Sequence, residues 1–327
     1  MKNKRIVFAG SMIVDLIKMI DTWPEEGRLV AITDMKQATG GAVSNSGIDL
    51  KTLDPEIDVA ALGFVGDDSN GQFYIDYLAS KGLDTSLIRK HASAPTSFTD
   101  CMTVKSNGHR TFFNMHGADS RLLPEDINVD ELKCDIFHFG YLLLLDGMDA
   151  PDEEYGTKAA RLLAKVQASG IKTSIDVVSE QSERFARIVK PALKYCDYVI
   201  INEIEGATVT GKSPDDLKGI CEGLFKLGVK ERVVIHKPEL SATMGVKGDY
   251  VELGSLKLPE GWIVGSTGAG DAFCAGMLYA FLTGMEPVEG MRLASCAAAM
   301  NLTAPDATSG AKPLKETLAL DSKFERR

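Results

Sequence analysis

No apolar run in the 327-residue sequence approaches the roughly 18 residues of a membrane span, so a membrane protein is not expected. The net charge of −10 comes without any dense basic segment, which argues against nucleic acid as a partner. The six cysteines are scattered and form no C-x-x-C pair. They predict reduced, buried thiols and a cytoplasmic protein, without a disulfide framework or a zinc site.

Strand-like and helical segments alternate along most of the chain. Hydrophobic residues make up 44% and charged residues 25%, as in globular proteins, and the length suits one domain, 1–327, with a small accessory element. Buried strands are predicted at 5–9, 59–65, 134–145, 172–177, 198–202 and 232–236. Helices are predicted at 43–53, 71–81, 152–169, 179–194, 215–227 and 274–281. This alternation predicts an α/β fold whose mostly parallel sheet is covered by helices on both faces.

Two segments interrupt this alternation. The segment 19–39 is polar and rich in turn residues, and 97–116 has the pattern of a hairpin whose turn contains Asn107-Gly108. Asn-Gly is the strongest short hairpin signal. Ligands bind at the carboxyl ends of the strands in open α/β sheets, so a small sheet standing there would act as a lid. A surface hairpin without such a role fits the pattern equally well.

The glycine-rich segment 265–273 leads into the apolar helix predicted at 274–281. Small residues let backbone N–H groups approach an anion, and a helix N-terminus favours negative charge. Asp271 in the first turn would lie beside that anion and could accept the proton of an attacking hydroxyl. Taken alone, a glycine turn followed by an aspartate that complements the helix dipole explains the segment better.

A second glycine pair, Gly40-Gly41, is followed by Asn45. Paired glycines allow a ligand to approach the backbone, and an asparagine side chain can both donate to and accept from a hydroxyl. A helix capped by Ser44 or Asn45 explains the same pattern without a ligand. Asp15, directly after the first strand, is a third candidate because a carboxylate binds vicinal hydroxyls well, although most lone aspartates at strand ends are turn residues.

Together these segments resemble the ribokinase-like carbohydrate kinase family, also called the PfkB family. Gly268-Ala269-Gly270-Asp271 is similar to its carboxyl-terminal signature, Gly40-Gly41 with Asn45 to its amino-terminal signature, and 202–205 to its N-x-x-E motif. Asp15 stands where the family has its sugar-binding aspartate. The resemblance covers nearly the whole chain in the right order. It implies a ribokinase-like three-layer α/β/α sandwich with a lid sheet formed by about 11–36 and 97–116.

The resemblance also implies a role for each motif. Asp271 would be the general base, and the backbone amides of Gly268, Ala269 and Gly270 would form an anion hole for the γ-phosphate of ATP. The residues that would hold substrate hydroxyls are Asp15, Gly40, Gly41 and Asn45. The residues that would hold the nucleotide and Mg²⁺ are Asn202, Glu205 and Thr267, with Glu205 on the metal side. Relatives often pair through the lid, so a homodimer is expected.

Three departures from the family pattern concern the nucleotide side. The signature usually opens with an aspartate that helps to bind a monovalent cation, and Gly265 stands there, which puts activation by potassium in doubt. The turn after the strand at 232–236 contains Pro238, which lacks a backbone donor. The segment 301–310 also departs from the usual pattern, and the contacts with the nucleotide at the Pro238 turn are expected to differ from those of the family.

The segment 206–213 fits the P-loop pattern G-x-x-x-x-G-K-[ST]. A P-loop follows its strand immediately, whereas four residues intervene here after the strand at 198–201. Ser213 followed by Pro214 also has the pattern of an N-cap and first helical residue, which would start the helix after the lysine. We therefore interpret the match as accidental. A dinucleotide-binding fold is poorly supported, since no G-x-G-x-x-G follows the first strand.

The sequence leaves more than one substrate class open. A free sugar, ribose- or fructose-like, is favoured, and a nucleoside kinase or a non-catalytic sugar sensor with the same fold are the alternatives. Arg110 in the hairpin would suit a phosphosugar, although a surface arginine explains it as well. Phe98, Phe112 and Phe113 could stack on a base or simply pack the small sheet.

Overall fold

The computed structural model describes residues 4–180 and 182–327. Residues 1–3 and 181, which fall within the predicted domain 1–327 and the predicted helix 179–194, lie outside the described residues. The strands, in chain order, are β1 (Arg5–Gly10), β2 (Ile13–Ile20), β3 (Ile32–Gly40), β4 (Asp58–Gly66), β5 (Asp84–His91), β6 (Ser97–Val104), β7 (Arg110–Met115), β8 (Ile136–Leu142), β9 (Pro151–Asp152), β10 (Gly156–Thr157), β11 (Lys172–Val177), β12 (Tyr198–Asn202), β13 (Arg232–His236), β14 (Leu240–Gly245) and β15 (Val251–Gly254).

The helices carry most of the remaining ordered backbone. In chain order they are α1 (Ala42–Leu53), α2 (Ser69–Ser80), α3 (Val129–Leu132), α4 (Asp146–Asp149), α5 (Lys158–Ala168), α6 (Arg184–Leu193), α7 (Glu203–Thr210), α8 (Leu217–Lys226), α9 (Ala269–Thr283), α10 (Pro287–Asn301) and α11 (Leu314–Lys323). Short 3₁₀ turns lie at Asp119–Arg121 and Pro124–Asp126.

The central sheet has nine strands in the order β15-β14-β13-β12-β11-β8-β1-β4-β5. Pairing is parallel from β12–β13 through β4–β5, and antiparallel only where β14 and β15 extend the edge. Parallel strands need helical crossovers, which place helices on both faces. Alternate residues of β1 show both layers: Ile6 and Phe8 pack with α1 and α9, whereas Val7 and Ala9 pack with α5 and α6. The mostly parallel α/β sandwich predicted from the sequence is thereby confirmed.

A separate sheet of four strands has the order β3-β2-β6-β7. It contains the predicted hairpin, since β6 and β7 pair antiparallel with Phe98 opposite Met115. Strand β2 follows β1 after only two residues and β3 leads directly into α1, so this sheet is attached at the carboxyl end of β1. We call β3-β2-β6-β7 the small sheet.

Several predicted boundaries are wrong. The strand predicted at 134–145 ends at Leu142, because Leu143 turns the chain with a positive φ of 82°. The helix predicted at 152–169 begins only at Lys158, since Asp152 accepts hydrogen bonds from the next turn and the chain first forms β9 and β10. Apolar spacing alone did not reveal these local hydrogen bonds.

The P-loop pattern at 206–213 is an accident of sequence, as predicted. Gly206 lies inside α7, and Gly211 ends that helix in the left-handed conformation with φ 72°. The predicted cap of the next helix is wrong: Asp216, rather than Ser213, accepts the backbone N–H of Gly219 at 2.9 Å. Within the described residues, no helix is both long and apolar enough to span a membrane.

Candidate active site

The glycine-rich segment folds into the start of α9, as the sequence predicted. Gly268 is the N-cap with φ 79°, a left-handed conformation that favours glycine. A Cβ there would also lie 2.6 Å from the Cα of Ala307, so the backbone of the two segments is in direct contact. Asp271 is in the first turn of α9. The leading N–H groups of a helix have no partners within it, and they lie beside this carboxylate.

Asn45 holds one oxygen of Asp271 from the neighbouring helix. Its Nδ2 donates to Asp271 Oδ2 at 3.0 Å, and Ser46 Oγ donates to the Asp271 backbone carbonyl at 3.2 Å. The N-cap of α1 is Gly41, with φ 87°, and a Cβ on it would lie 2.4 Å from the Ser11 carbonyl oxygen. The alternative in which Ser44 or Asn45 caps this helix is therefore wrong. The side chain of Asn45 serves Asp271 instead.

Tyr141 holds the other oxygen, and the sequence did not single it out. Its phenol donates to Asp271 Oδ1 at 2.5 Å, across 130 residues of sequence. Burial and the Asp271 charge hold the pKa of Tyr141 well above its usual value, so the phenol remains a donor. Tyr141 lies in a long apolar run where no pattern distinguishes it from a core aromatic.

The ionisation of Asp271 is set by opposing effects. Burial raises its pKa to about 6, while the hydrogen bonds from Tyr141 and Asn45 favour the ionised form and oppose that rise. A carboxylate with this pKa is ionised at neutral pH yet is a stronger base than an exposed aspartate. The two donors also fix the direction in which its oxygens can accept a proton.

Asn202 and Glu205 form the capping box of α7. Asn202 Oδ1 accepts from the Glu205 backbone N–H at 2.9 Å, and Glu205 Oε2 accepts from the Asn202 backbone N–H at 3.0 Å. Glu205 Oε1 accepts from Ser179 Oγ at 2.6 Å. Burial raises the pKa of Glu205. Both carboxylate oxygens therefore already have one protein donor each.

Asp176, at the end of β11, is a second residue that the sequence analysis missed. Burial, followed by the charges of Asp271 and Glu205, holds its pKa well above the usual value. Its Oδ1 accepts the backbone N–H of Val177 at 2.8 Å. An aspartate one residue before the end of a predicted buried strand was a signal similar to that of Asp15, and it could have been used.

These groups surround one open cavity of about 360 Å³, within the size range of small-ligand sites. Its lining residues include Asn45, Tyr141, Asp176, Asn202, Glu205, Thr267, Gly268, Gly270 and Asp271. A buried base, the first turn of a helix and two further carboxylates thus converge on one space. This arrangement can bind an anion at the helix start, accept a proton beside it, and attract a cation on the opposite side.

Comparison with known proteins agrees with this geometry. The sequence profile of the pfkB family carbohydrate kinases matches residues 3–314. The chain belongs to this family. It is therefore a sugar or nucleoside kinase, a phosphotransferase that acts on hydroxyl groups.

Individual relatives of the kinase are distant but cover it nearly completely. A ribokinase from Arabidopsis thaliana is 25% identical over 321 residues, which is 96% of this chain and 80% of the relative. A nucleoside kinase from Methanocaldococcus jannaschii is 21% identical over 285 residues, 87% of this chain and 86% of the relative. The structure of Arabidopsis thaliana ribokinase complexed with ribose and ATP superposes with a TM-score of 0.82 at 22% identity, covering 97% of this chain and 98% of that one. The ribokinase-like fold is thereby confirmed.

On the small sheet of the kinase, Asp15 lies against Gly40, the first residue of the Gly40-Gly41 pair. A Cβ on Gly40 would be only 2.5 Å from Asp15 Oδ2, so the carboxylate occupies the space that glycine leaves. Asp15 faces Thr99 across β2 and β6. Burial raises the pKa of Asp15 to about 6, against a hydrogen bond with Thr99 that lowers it. The structure thus brings Asp15 and Gly40 together at the junction of the small sheet and α1.

Arg110, at the start of β7, reaches from the small sheet of the kinase to the signature segment. Its guanidinium donates to Thr267 Oγ1 at 3.3 Å and to the Pro305 carbonyl at 3.5 Å. Two residues assigned to different ligands, Arg110 to substrate and Thr267 to nucleotide, are therefore neighbours. Through this contact the small sheet meets a residue that lines the cavity.

Two of the departures from the family pattern have structural counterparts in the kinase. A Cβ on Gly265 would lie 2.7 Å from the Ala304 carbonyl oxygen, so backbone fills the space that an aspartate would need. His236 ends β13 and packs against Phe273, with ring centroids 4.8 Å apart. The turn that follows is closed by a hydrogen bond from Lys237 N to Leu240 O at 2.9 Å. His236 thus lines the cavity, directly before the turn that contains Pro238.

Proposed function

We propose that the protein transfers the γ-phosphate of ATP to a hydroxyl of a small free sugar, ribose- or fructose-like, with Asp271 as the general base. The observation that supports this most strongly is the position of Asp271 at the start of α9. Asn45 and Tyr141 hold its oxygens, and the cavity brings it together with Gly268 and Gly270. A residue that only complemented a helix dipole would not need two dedicated donors.

In the proposed reaction, Asp271 accepts the proton of the acceptor hydroxyl as that oxygen bonds to the γ-phosphorus. The bond between that phosphorus and the bridging oxygen breaks, and ADP leaves with the electron pair. The amides of Gly268, Ala269 and Gly270 stabilise the charge on the transferring group. The N–H of Ala269 makes only a long hydrogen bond, 3.4 Å, to the Ser266 carbonyl oxygen. It can therefore donate to a bound anion instead.

Acceptor hydroxyls are assigned to the residues between the small sheet and α1. Asp15 and Asn45 supply a carboxylate and an amide, and the absence of side chains at Gly40 and Gly41 lets Asp15 and the Ser11 backbone pack closely against them. Arg110 is also assigned to this side, and its contact with Thr267 supports a role where acceptor and phosphate meet. The small sheet acts as the lid in this proposal.

Magnesium would fit beside Asn202 and Glu205. When bound, it would neutralise phosphate charge. The hydrogen bonds from Ser179 and Asn202 already use one lone pair on each Glu205 oxygen, so Glu205 would hold the ion chiefly through water. Asp176, whose Oδ1 accepts a single backbone bond, offers a less encumbered oxygen on the same cavity wall. Asp176 and Glu205 thus give the cavity two carboxylates for the ion.

The pH dependence of turnover should report on Asp271. We expect kcat/KM to fall as the pH drops through about 6, because Asp271 becomes protonated there. Tyr141→Phe removes a hydrogen bond to the ionised carboxylate, which raises the pKa of Asp271. The acidic limb of the pH profile, where kcat/KM falls, therefore moves to higher pH. Tyr250→Phe, at a tyrosine that does not line the cavity, should leave the limb in place. An unmoved limb in Tyr141→Phe would show that another group controls it.

A coupled assay of ADP release tests the proposed function. Wild-type protein would receive Mg²⁺ and ATP with a panel of free sugars, sugar acids, phosphosugars and nucleosides, with and without potassium. We expect turnover with a free sugar and no effect of potassium, because Gly265 provides no carboxylate and the Ala304 backbone occupies its place. Turnover with nucleosides alone would contradict the sugar assignment. Tight binding of a panel compound without any turnover would favour a sensor.

Dimerisation through the lid is a separate part of the proposal. The small sheet and its connecting loop expose several large apolar side chains, namely Trp23, Leu29, Ile32, Met35, Phe112 and Phe113. Trp23 and Phe113 stack with ring centroids 6.3 Å apart. Exposed apolar patches of this kind mark interaction surfaces. Phe98 is half-buried and packs against the core.

A further inference from the structure

Directly beside Asp271, three side chains from separate elements form a compact cluster. His138 comes from β8, Asp176 from the end of β11 and Cys274 from α9. Their potential ligand atoms all lie within 4.8 Å of one another. No two of these residues are close in the sequence, so the scattered cysteine pattern could not reveal the group. None of the roles proposed above uses His138 or Cys274.

The imidazole of His138 is fixed in an orientation that suits a metal ligand. Its Nδ1 lies 3.2 Å from Ser174 Oγ, on the strand that pairs with β8. Phe8 packs against the ring edge-on, with centroids 5.3 Å apart. His138 is completely buried, and its Nε2 lies 3.9 Å from Cys274 Sγ. Metal-binding histidines are commonly oriented in this way, by a hydrogen bond at the second ring nitrogen.

We propose that His138 Nε2, Cys274 Sγ and an Asp176 oxygen form a site for a transition-metal ion of the zinc class. Zinc lies about 2.0–2.1 Å from nitrogen and about 2.3 Å from sulfur, which places the two ligand atoms about 3.6 Å apart in a tetrahedron. The Nε2–Sγ distance of 3.9 Å therefore needs only a small adjustment. When the ion binds, the S–H bond of Cys274 breaks and its proton goes to solvent. The thiolate sulfur then binds the ion.

The donor set favours zinc over magnesium. Thiolate and imidazole are soft and intermediate ligands, whereas magnesium prefers oxygen alone. Three protein ligands leave the fourth tetrahedral position open, as in catalytic rather than structural zinc sites. Asp176 and Cys274 both line the cavity, so that position faces the space beside Asp271. The ion can enter from the same cavity.

A zinc-class ion bound here would inhibit phosphoryl transfer, and this consequence rests on the proposed function. It would engage Asp176, one of the oxygen ligands assigned to the magnesium side. It would also place positive charge beside Asp271 and weaken that carboxylate as a base. Binding itself does not depend on the reaction, so the two can be tested separately.

The binding test is a titration of the full-length protein with Co²⁺, a spectroscopic substitute for zinc. We expect a sulfur-to-cobalt charge-transfer band and the visible bands of tetrahedral cobalt, both abolished by added Zn²⁺. Cys274→Ser, which changes one atom, should lose the charge-transfer band and weaken binding by about tenfold or more. Cys296→Ser, at a buried cysteine outside the cluster, should behave like the wild type. His138→Gln is a second variant, to be interpreted only where its thermal unfolding matches that of the wild type.

No charge-transfer band in the wild type, or an undiminished band in Cys274→Ser, would overturn the site. For the inhibitory consequence, ADP release is measured with increasing Zn²⁺ at fixed Mg²⁺, each protein relative to its own zinc-free rate. Inhibition that is strong in the wild type and weaker in Cys274→Ser supports it. Equal inhibition of both proteins would instead place the inhibitory ion elsewhere. Absence of turnover in the zinc-free wild type would count against the proposed function and leave the cobalt result standing.

Discussion

Replacing Asp271 with asparagine is expected to remove nearly all ADP release while the acceptor still binds. General-base catalysis typically contributes about 10²–10⁴-fold, and the amide cannot take up the hydroxyl proton. Asparagine keeps the size of the side chain and can still accept from Tyr141 or Asn45, so the geometry of the site should survive. The coupled assay measures the loss, and calorimetric titration with the acceptor measures binding.

Asp306→Asn is the matched control for this substitution. It removes one negative charge from the loop that packs against the signature segment, and its carboxylate serves its own turn, accepting from Ser309 N at 2.8 Å. An amide oxygen can keep that bond, so turnover should remain near the wild-type value. Activity retained in Asp271→Asn would remove Asp271 from the role of base. Comparable loss in both variants would point to negative charge near the signature segment rather than proton transfer.

Replacing Gly268 with alanine is expected to cause the second large effect. Its φ of 79° is unfavourable for alanine, and the new Cβ would meet the Ala307 Cα at 2.6 Å. Such backbone strain costs about 1–3 kcal/mol when it is retained. If the segment shifts to relieve it, the amides at the start of α9 move as well. Loss of a single oxyanion donor costs about 10²–10³ in kcat, and we expect a decrease of that order.

Gly270→Ala separates this explanation from a general intolerance of the segment. A Cβ on Gly270 would meet only His236 Cε1, at an ordinary contact distance of 3.6 Å. Gly270 is also in the first turn of α9, without the positive φ of Gly268. Its replacement should therefore leave most of the activity and the thermal stability. A larger loss in Gly270→Ala than in Gly268→Ala would show that the anion hole is built differently from our proposal.

The sequence revealed the architecture because its strongest signals are local patterns of apolar and turn residues. Buried strands such as β12 and β13 are continuous apolar runs, and the Asn-Gly turn predicted the hairpin of β6 and β7. Boundaries were less predictable, because they depend on single side chains. Asp152, for example, accepts two backbone hydrogen bonds and delays the start of α5. Hydrophobic spacing carries no information about such local bonds.

The site was predictable where glycines and a polar side chain occur together, and not elsewhere. Asp271 and Asn45 stood next to glycine pairs, and they meet in the structure at 3.0 Å. Tyr141 was missed because its phenol acts through a contact 130 residues away, within a stretch that otherwise forms core. Asp176 was missed although it lies one residue before the end of a buried strand, because Asp271 and Glu205, whose charges raise its pKa, come from other parts of the chain. Pairwise contacts of this kind require the fold.

Asp15 lies on β2 and Asp271 on α9, so the acceptor and the base are assigned to different elements of the fold. The side chains assigned to the acceptor belong largely to a peripheral sheet, whereas the base belongs to a helix packed in the main body. The two regions are joined where β3 runs into α1, and they also meet where Arg110 of β7 contacts Thr267. A mutant library confined to positions of β2 and β6 on the same face as Asp15, such as its cross-strand neighbour Thr99, can therefore sample new acceptors without altering α9, and mutations at 40–45 are the ones to leave out of it.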